Sequence, residues 1–309
     1  MTFQLPKRKH FVHKAIEPRN LSAKAAAIVE ARTNDVWEVK YDGDNVMLIK
    51  AAGKAYAYTR QGGEVAGAMD KHLKAMESLA LDNYVLFGEA WHPELLHSVI
   101  DGDFRRGHDR DEPRRLKVMV FDTVSLAEFM DGKSNHSFAS RRTDLEHKIY
   151  ALRNFGFGNL FEPTFLSISK DVCQEHVTSR REDGELFEID GFMRKAAHGL
   201  WIAGSGSGGE VLKDKALYTV DLKVEGLVEG EGKFTGMLGA YECTYKGQPQ
   251  RVGGGKLTDK QRKAIWADKT TVDGGIGSII EVHALGESTN GLLREPRFAM
   301  VRYDKKDGE

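Results

Sequence analysis

The spacing of apolar and polar residues changes period several times along the first two thirds of the chain. Residues 19–32 are alanine-rich and read as a packing helix, with Asn20 or Ser22 available as a cap. An apolar run from Trp37 ends on Lys40; an Asp42-Gly43 turn follows, and a second run, Val46 to Ile49, resumes after it. This pattern predicts a hairpin that presents an amine at a strand end. Residues 54–60 alternate as a strand, and residues 66–81 put Met69, Leu73, Met76 and Leu79 or Ala80 on one helical stripe, so the methionines belong to a core. Two apolar runs, 84–91 and 116–124, read as buried strands interrupted at Glu89 and Asp122. A carboxylate in such a run is costly to bury unless paired or metal-bound. For Glu89 that favours a functional role; for Asp122 a structural, hydrogen-bonded role weighs as much. Residues 101–115 carry both charge signs and read as a loop able to touch nucleic acid, helical patterns cover 138–152 and 171–181, and a strand covers 186–195.

From about Thr219 the texture shifts to short, glycine-punctuated strands at 220–228, 234–245, 278–285 and 298–303, with one helical stretch at 257–268. Several short strands and one helix in this length fit a small Greek-key barrel of the OB type. The boundary this implies separates residues 1–218 from 219–309.

Composition narrows the field modestly. A chain of 309 residues with 40% hydrophobic content can bury two cores. No run of eighteen apolar residues exists and the basic N-terminus lacks an apolar signal core, so the expected location is the cytoplasm, with no membrane contact. Cys173 and Cys243 are too few and too far apart for a zinc finger or a disulfide framework, and are expected as core thiols. His92, His97 and His108 lack partners at zinc-ligand spacing. The net charge of -1 does not advertise a nucleic-acid binder, although basic clusters at Lys7-Arg8-Lys9, Arg105-Arg106, Arg114-Arg115 and Lys305-Lys306 could share a face. The glycine-rich run 203–209 formally contains G-x-G-x-x-G, but no βαβ pattern frames it, and Gly132-Lys133-Ser134 lacks the first glycine of a P-loop.

Lys40-Tyr41-Asp42-Gly43 is followed in order by Thr59-Arg60-Gln61-Gly62, Phe87-Gly88-Glu89, Val120-Phe121-Asp122, Asp190-Gly191-Phe192-Met193-Arg194-Lys195, Leu212-Lys213-Asp214-Lys215 and a C-terminal element from Arg294 to Lys305. The series resembles the ordered motifs of the covalent nucleotidyltransferases: ATP-dependent DNA ligases, RNA ligases and messenger-RNA capping enzymes. Run 229–239 and the Arg-x-Pro-x-Phe pattern at 294–298 look more like DNA ligases, of the small phage type. The fold this implies is α+β. An ATP-grasp-like adenylation domain of antiparallel sheets and flanking helices precedes a C-terminal OB barrel.

The resemblance implies a DNA ligase that uses ATP and Mg²⁺ (or Mn²⁺) to seal 3′-OH/5′-phosphate nicks in double-stranded DNA. It would work as a monomer without an obligate protein partner, in the host cytoplasm if phage-encoded. Lys40 would accept AMP, Lys213 and Lys215 would neutralise the α-phosphate and help keep Lys40 unprotonated, and Asp304 and Lys305 would complete the first step. Glu38, Phe121, Lys195 and Arg294 would contact the nucleotide, Glu89 and Asp190 the metal, and Arg60 the nick 5′-phosphate. A hinge at 216–221 would let the barrel close and reopen. Two departures from the family pattern stand out: Asp190 replaces a glutamate, with Glu188 nearby to assist, and Asn45 replaces an arginine. The alternatives are an RNA ligase, a capping-type guanylyltransferase, or an inactive OB-containing nucleic-acid-binding protein.

Overall fold

The computed structural model describes residues 3–65, 67–106, 116–204, 206–215, 218–270, 273–288 and 290–305. It divides into two compact units, Met1–Asp214 and Lys215–Glu309.

In the first unit an extended N-terminal segment and a short 3-10 turn lead into α1 (Ala23–Glu30), which Ser22 caps by accepting from the Ala25 N–H. β1 (Asp35–Tyr41), β2 (Asp44–Ala51) and β3 (Lys54–Thr59) follow. Next come α2 (Asp70–Ser78), β4 (Tyr84–Trp91), α3 (His97–Arg106) and β5 (Lys117–Ser125). After α4 (Leu126–Asp131), β6 (Lys133–Ser137) and α5 (Phe138–Leu152) the chain forms β7 (Phe161–Pro163) and β8 (Leu166–Ser167). α6 (Lys170–Glu182), β9 (Ile189–Ala196), β10 (Leu200–Ile202) and β11 (Val211–Asp214) complete it. The strands form a five-stranded sheet in the order β3-β2-β4-β5-β7, a four-stranded sheet β11-β9-β1-β8, and the pair β10-β6. Pairing is antiparallel except between β5 and β7.

The continuous apolar run of β2 has a direct cause. Val46 and Leu48 enter one core and Met47 and Ile49 another, so both faces of this strand are covered and alternation disappears. All four side chains are fully buried, each stabilising by roughly 1.5–3 kcal/mol. Met69 and Met76 lie in the first of these cores. Lys50, the next residue on β2, is buried and donates to the carbonyls of Met76 (2.7 Å) and Leu79 (2.5 Å), satisfying the open C-terminal end of α2.

Several sequence expectations change here. Residues 101–115 are not a loop throughout: α3 extends to Arg106, Ile100 and Phe104 face the core one turn apart, and the opposite charges at Asp101 and Arg105 form an i,i+4 ion pair at 2.6 Å. The remainder of that segment, with His108 and Arg114-Arg115, lies outside the described residues. The strand read at 186–195 begins at Ile189, because Phe187 takes a positive φ of 42° and its N–H bonds to the Pro93 carbonyl. Asp122 is a structural carboxylate. Arg141 of α5 grips it with two parallel bonds of 2.8 and 2.9 Å and also donates to the carbonyls of His136 and Gly199, fastening α5 to the five-stranded sheet.

The N-terminal segment is a strap over the same unit. Phe11 is buried among Phe87, Phe129 and Trp201, and Arg8 donates at 2.5 Å to each of the Phe129 and Met130 carbonyls at the end of α4. The glycine-rich run serves this strap. A Cβ on Gly204 would meet the His10 side chain at 3.0 Å and one on Gly206 the Lys14 carbonyl oxygen at 2.8 Å, while the Gly204 N–H bonds to Val12.

In the second unit β12 (Tyr218–Glu229), β13 (Leu238–Tyr245), β14 (Gln248–Gly253), α7 (Asp259–Ala267), β15 (Ile279–Ala284) and β16 (Arg297–Val301) form a closed barrel of strand order β12-β13-β14-β16-β15. This is an OB barrel. The strand expected from Phe234 starts only at Leu238, because Gly232 and Gly236 take positive φ (58° and 74°) in a loop closed by the Gly230 N–H on the Met237 carbonyl. From Tyr218 onward the expected hinge is β12, paired with β15; residues 216–217 lie outside the described set. Cys173 and Cys243 are buried free thiols, one in each unit. Among the described residues no helix is long and apolar enough to cross a membrane.

Candidate active site

Lys40 is the penultimate residue of β1, where the pairing register with β9 slips between Val39 and Tyr41. Tyr41 anchors this end: its ring packs edge-on to Trp91 at 4.8 Å and against Phe187 at 5.8 Å. The turn that follows admits only glycine, since a Cβ on Gly43 would lie 2.2 Å from the Ala90 carbonyl oxygen. These contacts hold the amine beside β4 and β9.

Lys40 Nζ meets Asp190 Oδ2 at 2.5 Å, with side chains 26% and 12% exposed. Gly191, next to Asp190, sits at φ 103°, a conformation open to glycine. Glu89 completes the group. Its carboxyl is pushed up to about 8, chiefly by desolvation, with Lys40 and Asn45 pulling the other way and Asp44 and Asp42 reinforcing the rise. Burial alone would lower the Lys40 pKa, but Glu89, Asp190 and Asp42 outweigh it and the amine is raised above its ordinary value. The expectation that cations keep Lys40 unprotonated is therefore corrected: its surroundings in the free protein are anionic. Asn45 is cross-strand partner to Glu89, with its amide 3.5 Å from the carboxylate. Glu188 lies just before β9, and its carbonyl accepts from the Trp91 indole and the Asp42 N–H.

Along the same sheet lies a second, buried charge cluster. Glu38 is 1% exposed; Arg142 (3.2 Å) and Thr164 (3.0 Å) bind one oxygen and Lys195 the other. Lys195 also donates to the Phe121 carbonyl at 3.0 Å and sits 5.2 Å from the Phe121 ring and 4.6 Å from that of Phe138. Phe121 is half-buried. Lys213 is in register with Met193, and Met193 with Glu38, so Lys213 shares the Glu38 face of the sheet; its amine lies 3.8 Å from Glu17. Arg142 and Thr164 carry no motif spacing, and only the buried partner they share reveals them.

Arg60 follows β3 directly and is exposed. Lys215, Arg294, Asp304 and Lys305 belong to the second unit. β11 ends at Asp214, so the alternation expected to carry Lys215 onto the Lys213 face stops one residue short. Arg294 is backbone-bonded to Leu285 and Gly286. Asp304 accepts two bonds from Arg302, which hold it down at about 2, and Lys305 pairs with Asp221 at 2.6 Å.

Among the described residues no group of three or more His, Cys, Asp or Glu side chains forms a metal site. Glu89 and Asp190 both flank Lys40, which leaves a pair of carboxylates. Such a pair suits Mg²⁺, which takes its other ligands from water and phosphate.

A unit of antiparallel sheets with a lysine at a strand end therefore precedes a closed five-stranded barrel. Residues 229–302 match the DNA ligase OB-like domain. The chain is 25% identical to a DNA ligase of Thermococcus onnurineus over 96% of its length and 24% identical to one of Methanoculleus marisnigri over 92%. It covers 57% and 54% of those proteins, and so spans about half the length of the curated relatives it matches. Among solved structures it is similar to Pmar-Lig_PreS3 (TM-score 0.73, 22% identity, covering 95% of this chain and 68% of that one). It also matches a Lig E DNA ligase (TM-score 0.63, 18% identity, 98% and 100%) and the ATP-dependent DNA ligase of bacteriophage T7 (TM-score 0.53, 15% identity, 94% and 98%). The chain thus carries the fold of the ATP-dependent DNA ligases, and most of its barrel matches the model of the DNA ligase OB-like domain.

Proposed function

We propose that the protein is an ATP-dependent DNA ligase that seals 3′-OH/5′-phosphate nicks in duplex DNA, acting as a cytoplasmic monomer. The observation that carries this reading is Lys40 held between Asp190 and Glu89 in a chain with the ligase fold. The T7 enzyme was solved in complex with ATP, which supports ATP as the nucleotide.

In the first step the Lys40 amine attacks the α-phosphorus of ATP; a P–N bond forms, the bond to the bridging oxygen breaks, and pyrophosphate leaves. The AMP then passes to the 5′-phosphate at the nick, and the 3′-hydroxyl displaces it as the strand closes. Alignment and charge neutralisation are the main demands of each transfer. Lys40 must first release a proton, and Asp190, already bonded to it, is placed to hold that proton or pass it to water. Lys213 and Lys215 offset phosphate charge, and Phe121 forms the nucleotide-facing wall, backed by the buried Lys195 that Glu38 holds in place. Arg60 binds the nick 5′-phosphate, for which its planar fork of donors is suited. Arg294, Asp304 and Lys305 act on the leaving pyrophosphate during the first step. Mg²⁺ or Mn²⁺, held by Glu89 and Asp190, would supply additional charge neutralisation on the phosphates.

The test is a nicked duplex carrying a labelled 5′-phosphate, incubated with ATP or with GTP and resolved on a denaturing gel. Sealing with ATP supports the reading; sealing with GTP alone, or of RNA strands alone, overturns it.

A further inference from the structure

The N-terminal strap presents a set of cations that none of the roles above uses. Inward, it is fixed: Phe11 is buried, and Arg8 is spent on the carbonyls that end α4. Outward, Lys7, Lys9 and Lys14 are exposed. Among the described residues Lys7 and Lys9 enter no ion pair, and Lys14 contacts only the neutral-preferring His10, at 2.8 Å. His10 is held below its ordinary pKa by desolvation, then by Lys14 and Lys9, a sign of how closely positive charge is gathered here. Lys7 and Lys9 stand along a shallow groove whose other wall includes Met130, Asp131 and Gly132. In a chain of net charge -1 this concentration is local.

The strap also abuts the turn that carries Arg60. Gly62 takes φ 88°, and a Cβ there would meet the Phe11 ring at 2.8 Å and Leu5 at 3.1 Å. The Thr59 to Gly63 turn is closed by its own backbone bonds, so Arg60 projects from a rigid corner resting on the strap. Among the described residues Arg60 too makes no ion pair. Exposed cations without ion pairs, on a pinned backbone that packs against the turn carrying an exposed arginine, match a run of phosphates better than a single small anion. Because the strap is pinned, little backbone order remains to be lost on binding.

We propose that the strap is a duplex-phosphate-binding surface that extends the Arg60 turn along the DNA backbone, with Lys7, Lys9 and Lys14 as its contacts. This rests on the ligase reading for its choice of duplex DNA as partner. The test is equilibrium binding of the full chain to a nicked duplex across a salt series, for wild type, a Lys7→Gln/Lys9→Gln/Lys14→Gln variant and the corresponding Lys→Arg variant. AMP-adduct formation from ATP without DNA is measured in parallel. The Gln variant is expected to lose about one unit of salt slope per contact removed, and roughly tenfold or more in affinity at low salt. The Arg variant keeps both, and adduct formation is unaltered. Wild-type slope and affinity in the Gln variant overturn the proposal, as does a loss confined to binding of anionic phospholipid vesicles. If the wild type forms no adduct but the slope still falls, the ligase reading fails while the strap stands as a duplex contact.

Discussion

Lys40 and Asp190 form a direct ion pair, Nζ to Oδ2 at 2.5 Å, bridging the end of β1 to the start of β9. The pair makes the resting lysine an ammonium, since Glu89, Asp190 and Asp42 together raise it above its ordinary pKa despite burial. An amine cannot attack phosphorus while protonated, so adenylylation should speed up as pH rises. Replacing Asp190 by Asn removes one of the anions that hold the proton. The rate of AMP-adduct formation in Asp190→Asn should therefore reach half its own plateau at a lower pH than in the wild type. An unmoved or alkaline-shifted profile would show that Asp190 does not govern the lysine proton.

Gly43 is fixed by the backbone of the neighbouring strand, with no flexible side chain to give way. Gly43→Ala should push the Lys40 hairpin away from β4, lowering stability by about 1–3 kcal/mol. Adduct formation should fall by a larger factor than the small loss of folded protein explains. Urea unfolding and adduct kinetics on the same preparation separate the two effects.

Asp122 and Arg141 are both nearly inaccessible. Arg141→Met leaves a buried carboxylate without its counter-charge and should cost about 3–5 kcal/mol in denaturant unfolding. The double variant Asp122→Asn/Arg141→Met should recover part of that loss. Additive losses in the cycle would mean the pair is not coupled.

His72 is buried beside the Phe161 ring, and desolvation lowers its pKa to about 4. The unfolded chain takes up this proton near 6.5 and the folded chain only near 4, so stability should fall as pH drops through that window. The full loss from this one group is about 3 kcal/mol. His72→Leu should flatten the pH dependence between those values, as followed by urea midpoints.

Much of the architecture was legible because the signals were local. The β2 run, the Asp-Gly turn, the Ser22 cap and the barrel's short strands each encode their element within a few residues. What was not legible depends on distant partners. The charges of 101–106 have a loop's composition, and only Ile100 and Phe104 packing on the core make that stretch a helix; β14 carries no strand pattern because Pro249 and its polar neighbours occupy a strand defined by its pairing with β13. The lysine and its two carboxylates could be named from the motifs. The sign of the field around Lys40 could not, because it depends on Asp190, 150 residues away, lying against the amine. Likewise Arg142 and Thr164 became visible only through Glu38.

The central claim is that Lys40 accepts the nucleotide, and intact mass after incubation with ATP and Mg²⁺ tests it most directly. The account predicts a mass increase of one AMP in the wild type, reversed by pyrophosphate, and none in Lys40→Ala. The same increase in both proteins would contradict it.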